Sequence, residues 1–177
     1  FDIAKYAQGR APQIRRVFDA VPSQLDKVNK RFRMDALKSG AVYDRYANDF
    51  AWLIDAAVVL PTYQVSEPKR PLRRTAQENK FKLYEADTGL LLSQYAPQTM
   101  LDVIADAPSV NFGSVYENAV AQALSNENPD LFYFCSSRKG EVDFIAQRND
   151  GALVPIEVKS GKDYKLHTAL NLSLIHI

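Results

Sequence analysis

The sequence predicts an α/β chain made of two regions with different patterns. Up to about residue 74 the apolar residues recur at helical spacing, whereas from residue 81 onward a helix is followed by three short apolar strands. The chain has 177 residues, 46% of them hydrophobic, which suffices for one large or two small domains. We favour two, a first region over residues 1–80 and a second over 81–171.

The first region reads as three helices followed by a two-stranded ribbon. Pro12 opens "PQIRRVFDAVPSQL", a short helix is predicted over residues 30–38, and Gly40 separates it from a longer helix. The longer helix carries an apolar stripe that we expect to face a core: Tyr43, Tyr46, Phe50, Leu53, Ile54 and Ala57. The runs "VVLPTYQV" and "KFKLYEA" then predict two strands around a basic loop. This is the outline of a winged helix, a shape that binds DNA or serves protein contacts.

The second region reads as a helix, three strands and a further helix. The helix is "GSVYENAVAQAL", and the strands are "LFYFCSS", "EVDFIAQ" and "ALVPIEVKS". The hairpin signal Asn149-Asp150-Gly151 joins the last two strands. Beyond Gly161 the segment "KDYKLHTALN" returns to a helical pattern.

Positive charges are clustered, although the net charge of +1 decides nothing about partners. One cluster is Lys30-Arg31-Phe32-Arg33. The other lies at the tip of the predicted ribbon and comprises Lys69, Arg70, Arg73 and Arg74. Four cations at a wing tip suit phosphate contact, so these four are candidate nucleic-acid-binding residues. A solvated basic loop is equally compatible with them.

The cellular setting is predicted from cysteine usage and hydropathy. Cys135 is the single cysteine, so no disulfide forms within the chain, which indicates a reducing cytoplasm. No apolar run reaches the roughly 18 residues that span a bilayer, and no signal peptide is visible. We therefore expect a cytoplasmic location without membrane contact.

Charged residues stand at the ends of two predicted apolar strands. Glu157 and Lys159 share one face of their strand, and Asp143 lies opposite the apolar face of its own. Strand pairing through the hairpin would bring Asp143 near Glu157, where a cation must offset their repulsion. Mg²⁺ is the candidate cofactor, since it typically takes one or two carboxylates. Lys159 would stabilise charge on a phosphate, and Glu117 offers a further carboxylate.

The predicted site is accordingly a set of four residues. Asp143, Glu157 and Lys159 are the candidate catalytic residues, and Asp143, Glu157 and Glu117 are the candidate metal ligands. Other interpretations stay open. Ser114 and Glu117 also match a capping box, and Glu157 with Lys159 also matches a solvated ion pair. Asp87 is expected to be a turn residue or helix cap, and His167 a surface residue.

These residues resemble the PD-(D/E)xK nuclease superfamily, whose core runs helix, three strands, helix, strand, although "EVDF" lacks the proline of that motif. The runs "KLYEADTGLL", "GSVYENAVAQAL", "EVDFIAQ" and "IEVKSGK" resemble, in this order, the domain of unknown function that follows the ATPase domain in many bacterial AAA-type ATP-binding proteins. "KRFRM", "WLIDAAVV" and the basic loop look like its winged-helix region. The resemblance implies a nuclease-like fold and an ATPase domain as neighbour.

The ATPase domain itself is not expected in this chain. No G-x-x-x-x-G-K-[ST] motif occurs, and the pair Gly161-Lys162 has Ile156 and Asp163 at the other motif positions. ATP would then bind only in an upstream domain of the parent protein.

The chain is also expected to be a fragment, since it begins at Phe1 without a methionine. Its last six residues, "LSLIHI", are what CTGTCTCTTATACACATC encodes, which looks like the transposon end used to prepare sequencing libraries. Residues 172–177 are therefore expected to be a non-native tail, in which His176 has no function. The natural part of this chain would end at about Asn171, while the real protein would continue beyond it, so the nuclease-like core would here lack its last strand.

Two functions follow as expectations. The first is a nuclease-like module of an AAA-type ATPase that binds nucleic acid, with metal-dependent phosphodiester cleavage at the four-residue site. The second is a non-catalytic module that binds protein or nucleic acid and regulates the ATPase.

Overall fold

The fold is a mixed α/β arrangement, seen in a computed structural model that describes residues 9–105, 107 and 113–159. Across these residues the chain forms five α-helices: α1 (Ala11–Leu25), α2 (Tyr43–Asp55), α3 (Thr88–Ser93), α4 (Pro97–Ile104) and α5 (Gly113–Ser125). Five strands accompany them: β1 (Val59–Val65), β2 (Ala76–Glu85), β3 (Leu131–Ser136), β4 (Gly140–Gln147) and β5 (Leu153–Ile156). Two short 3-10 helices lie at Met34–Ala36 and Leu72–Thr75.

One sheet holds all five strands in the order β2-β1-β3-β4-β5. β1 is antiparallel to β2 and parallel to β3, and β3, β4 and β5 form an antiparallel meander. The ribbon predicted in the first region is therefore continuous with the three strands predicted in the second. Residues from both predicted regions meet on this sheet.

The predicted apolar stripe of α2 is confirmed in its central positions. Tyr46, Phe50 and Leu53 are buried, and Phe50 packs edge-on against Phe81 of β2 with ring centroids 5.1 Å apart. Ala57, at the end of the stripe, is exposed and lies beyond the helix with a φ of 52°. The stripe thus anchors α2 to the sheet, as an amphipathic helix should.

The prediction of a short helix over residues 30–38 is wrong for most of that segment. Arg31 instead forms a β-bridge with Lys82, and the Phe32 amide donates to the Phe81 carbonyl at 2.8 Å. Only Met34–Ala36 turns, as a 3-10 helix. An edge of β2 offers unpaired backbone groups, and burying Phe32 against that edge favours the extended form.

The helix and three strands predicted in the second region are confirmed as α5, β3, β4 and β5. The finer assignments, a winged helix and a PD-(D/E)xK core, stay predictions, as do the boundaries of the two regions. The segment "KDYKLHTALN", His167 and the expected tail over 172–177 lie outside the described residues. In the part of the chain that the structure describes, no helix has the length and apolarity needed to cross a membrane.

Candidate functional site

Four residues predicted from the sequence line one open pocket of about 430 Å³. They come from three places, namely α5, β4 and the chain just after β5. The residues are Glu117, Asp143, Glu157 and Lys159, and the same pocket is lined by Lys27, Lys30 and Glu141. The pocket therefore collects acidic and basic groups in one place.

Strand alternation and one hydrogen bond place Asp143 at the centre of this pocket. Asp143 and Glu141 share a face of β4, while Val142 on the other face is fully buried. β5 ends at Ile156, and the backbone amide of Val158 then donates to Asp143 Oδ2 at 2.9 Å. This contact holds residues 157–159 beside Asp143, as the hairpin predicts.

Glu157 and Lys159 form an ion pair inside the pocket. Lys159 Nζ lies 2.5 Å from Glu157 Oε1, and the Lys159 side chain is 38% exposed. The hydrogen bond to Glu157 raises the pKa of Lys159 above its ordinary value, so the group stays an ammonium at neutral pH. Lys159 therefore offers positive charge to a ligand.

Glu117 points from α5 into the same pocket. Lys30 Nζ lies 2.6 Å from its Oε1, and the Tyr84 hydroxyl donates to its Oε2 at 2.9 Å. Ser114, the other residue of the capping-box interpretation, donates its hydroxyl to Asp26 at 2.7 Å. Both residues line the pocket, and the bond from Ser114 to Asp26 also joins α5 to the end of α1.

Lys82 of β2 is the residue that sequence reasoning missed. Its side chain is 1% exposed, and Nζ lies 2.6 Å from Glu141 Oε1 and 3.2 Å from Asp143 Oδ1. Glu117 Oε2 is 3.7 Å away, and the ammonium stands 5.1 Å from the centre of the Tyr133 ring. Burial lowers the pKa of Lys82, but the three carboxylates outweigh burial and raise it above its ordinary value.

The charges of the pocket nearly cancel without any bound ion. Buried charges are tolerated when each has a partner in contact, and every carboxylate that lines the pocket, except that of Asp26, has an ammonium within 4.0 Å. With Lys82 included, five carboxylates face four ammonium groups, so their sum is −5 + 4 = −1: Asp26, Glu117, Glu141, Asp143 and Glu157 against Lys27, Lys30, Lys82 and Lys159.

This donor set does not fit a divalent metal ion as it is arranged. Asp143 Oδ1 contacts Lys82 and Oδ2 accepts the Val158 amide, so both oxygens of the central predicted ligand are engaged. Two unit charges 4 Å apart interact by about 4 kcal/mol at an effective dielectric constant of 20, so the ammonium would oppose a nearby metal cation. Among the described residues, no three His, Cys, Asp or Glu side chains are grouped as metal ligands.

A second basic surface adjoins the pocket. A neighbouring cavity of about 620 Å³ shares Lys27 with it and is lined by Arg31 and Arg33. Arg33 makes a long contact of 3.5 Å with Asp35, and both side chains are well exposed. We call Lys27, Lys30, Arg31 and Arg33 the basic rim, because each of these four cations lines at least one of the two cavities.

The four predicted cations of the β1–β2 loop lie elsewhere. Arg73 forms two hydrogen bonds with Asp130, and Lys69 lies 3.3 Å from Glu67. Arg70 packs against Gly151, where an added Cβ would lie 2.0 Å from Arg70 Nη1. Arg74 is exposed and makes no ion pair with a described residue. Three of these cations thus have intramolecular contacts, and none lines the pocket.

Two other expectations concern single side chains. Asp87 is the N-cap of α3, accepting the Leu90 amide at 3.0 Å, which confirms the cap interpretation. Cys135 is half-buried, and burial, followed by the nearby Glu141, raises the pKa of its thiol. A raised pKa keeps the thiol protonated and unreactive.

Two family models match the chain, and both describe domains of unknown function. DUF8612 matches residues 1–99, and DUF4143, commonly the C-terminal domain of AAA-type ATPases, matches residues 112–176. No curated protein and no solved structure matches significantly. Lys30 and Lys82 lie within the first match, while the carboxylates they contact lie within the second.

Proposed function

The chain belongs to the family of the domain of unknown function DUF8612, and we propose that it forms, with its DUF4143 region, a nucleic-acid-binding module of an AAA-type ATPase. The module has a PD-(D/E)xK nuclease-like plan in its second half. The ATPase domain of the parent protein is its covalent partner and binds ATP.

The convergence of the predicted residues in one pocket supports the nuclease-like plan. Glu117 comes from the helix that precedes the meander, Asp143 from its middle strand, and Glu157 with Lys159 from the end of its last strand. This chain order and this meeting point are those that the PD-(D/E)xK resemblance implies.

The basic rim supports nucleic acid as the ligand. Lys27 and Arg33 are exposed, and Arg31 is partly exposed beside them. Contacts from Lys and Arg to phosphates supply most of the affinity of sequence-independent binding. Lys159 lines the same pocket as Lys27 and Lys30 and adds a further cation for a phosphate backbone.

Binding without catalysis is the function that the geometry supports best. The observation that carries it is the position of Lys82, whose ammonium already contacts both Asp143 and Glu141 and offsets their repulsion. Phosphodiester cleavage is the second candidate, favoured by Lys159 lying beside Asp143 and Glu157 in an open pocket. In either case the ligand approaches at the basic rim.

The test is a binding titration on the full-length parent protein. Fluorescence anisotropy with a labelled DNA duplex and a labelled single strand, in buffer with EDTA, should give saturable binding that weakens with salt. The variant Lys27→Ala/Arg31→Ala/Arg33→Ala should bind less tightly and flatten the slope of log K against log salt by about 2 to 3.

A matched control variant separates the effect of the basic rim from the effect of a lower net charge. Arg15→Ala/Arg16→Ala/Lys38→Ala removes three exposed cations that line neither cavity and should leave the slope unchanged. Equal effects of the two triple variants would contradict the basic rim. A parent protein that binds no nucleic acid, but captures a protein through the same surface, would favour the regulatory alternative.

A further inference from the structure

We propose that the Lys82 ammonium is the permanent cation of the pocket, standing between Asp143 and Glu141 in place of a divalent ion. Three different elements supply the carboxylates and aromatic ring around it, namely α5, β3 and β4. A surface lysine samples many rotamers, whereas this one is 1% exposed and in contact with two carboxylates at once. The ammonium is therefore a fixed part of the fold.

The role of a cation here follows from the cost of burying charge. Glu141 and Asp143 share one face of β4, two residues apart, where their carboxylates would repel each other. Lys82 Nζ contacts both, at 2.6 and 3.2 Å, and so removes the repulsion that a metal would otherwise have to remove. The Tyr133 ring covers the ammonium from a further side.

This arrangement holds the Asp143 carboxylate in one orientation before any ligand binds. One of its oxygens is held by Lys82 and the other by the Val158 amide, which in turn positions Glu157 and Lys159. Lys82 is thus a positioning residue that acts through Asp143 on the rest of the pocket. The pocket should keep its shape at any concentration of divalent ions.

Removing the charge of Lys82 should turn the same pocket into a metal site. Lys82→Met leaves the partly buried carboxylates of Glu141 and Asp143 without the ammonium that lies between them, which favours an incoming cation. We expect Mn²⁺ to bind the variant at least about tenfold more tightly than it binds the wild type. This inference does not depend on nucleic-acid binding, because its readouts are metal affinity and thermal stability.

The experiment measures Mn²⁺ binding by calorimetry and thermal unfolding with Mn²⁺ or EDTA, on the intact chain. The wild type should show no saturable Mn²⁺ heat and an unchanged Tm. Lys82→Met should unfold at a lower temperature in EDTA and regain stability with Mn²⁺. Adding Asp143→Asn to this variant should abolish the stabilisation by Mn²⁺.

Two controls isolate the position of the charge. Lys82→Arg keeps the charge and should stay insensitive to Mn²⁺. Lys30→Met removes the same charge from a lysine paired with Glu117 alone and should not create a Mn²⁺ site.

The proposal is overturned by saturable Mn²⁺ binding to the wild type that Asp143→Asn removes. It is equally overturned by a folded Lys82→Met variant without gained Mn²⁺ affinity. Should Lys82→Met not fold, Lys82→Met/Glu141→Gln removes one charge of each sign, and its Tm should still rise with Mn²⁺ through Asp143. No rise in that variant also contradicts the proposal.

Discussion

Lys82 and Glu141 are separated by 59 positions in the sequence, yet Nζ of the buried lysine and Oε1 of the partly exposed glutamate lie 2.6 Å apart. Lys82 lies in the part matched by DUF8612 and Glu141 in the part matched by DUF4143. The pair therefore joins the two matched parts at the candidate site. Neither part contains the complete pocket by itself.

The first prediction concerns the energy of this pair. Lys82→Met should lower the free energy of unfolding by about 1 to 3 kcal/mol, because it removes the cation from the partly buried carboxylates of Glu141 and Asp143. Lys38→Met, at an exposed position, should change it by less than about 0.5 kcal/mol. Urea unfolding of both variants measures the difference.

A double-mutant cycle with Glu141→Gln checks that the loss belongs to the pair. The coupling energy should be about 0.5 to 3 kcal/mol in favour of the wild-type pair. A coupling near zero would mean that Lys82 contributes through packing alone.

The second prediction concerns Glu85, a fully buried carboxyl group at the end of β2. Gln94 donates to its Oε1 at 2.8 Å, while Oε2 has no hydrogen-bond partner within the described part of the chain. Burial raises the pKa of Glu85 from 4.5 to about 7, an effect that the bond from Gln94 only partly offsets. The folded protein therefore retains this proton at pH values where the unfolded chain has lost it.

The sign of the pH dependence follows from this retained proton. The free energy of unfolding should fall as the pH rises from about 4.5 to about 7, by up to about 3 kcal/mol, and then level off. Glu85→Gln should lack this contribution and be more stable than the wild type at pH 8. Urea unfolding of both proteins from pH 5 to 8 measures the difference; parallel curves would contradict the prediction.

The third prediction concerns the β1–β2 loop. Arg74→Ala should reduce the salt slope of nucleic-acid binding by about 1 if the loop contacts phosphate. Arg73→Ala should affect the slope less, since Asp130 already holds its guanidinium. Anisotropy titrations at several salt concentrations compare them, and equal slopes for both variants and the wild type would identify the loop as solvated surface.

The fourth prediction concerns Gly151 in the β4–β5 turn, which has a φ of 85°. Gly151→Ala should cost about 1 to 2 kcal/mol, because residues other than glycine are strained in the left-handed region. Gly40→Ala, at a φ of 72° with no atom near the added Cβ, is the matched control. A larger cost at Gly151 would show that Arg70, whose Nη1 occupies the position of that Cβ, resists displacement.

Local patterns were sufficient to predict much of this site. Strand alternation and the hairpin signal together predict that Asp143 meets residues 157–159, because both depend only on neighbours along the chain. The helix that carries Glu117 follows from its apolar spacing. These are short-range features, and a sequence displays them directly.

The role of Lys82 could not be predicted in the same way. Residues 81–85 of β2 are all buried, so alternation of exposed and buried positions does not distinguish Lys82 from its neighbours. Its partners are brought to it by strand pairing and by α5 packing on the sheet. The Arg73–Asp130 contact, across 57 positions, escaped prediction for the same reason.

The central claim is that lysine ammonium groups, and not a metal ion, prepare this pocket for nucleic acid. It is tested most directly by titrating the parent protein against a labelled DNA duplex in EDTA and in Mg²⁺ at constant ionic strength. We expect saturable binding in EDTA that Mg²⁺ does not strengthen, and no cleavage of the duplex in either buffer. Binding or cleavage that appears only with Mg²⁺, and is lost in Asp143→Asn, would contradict it.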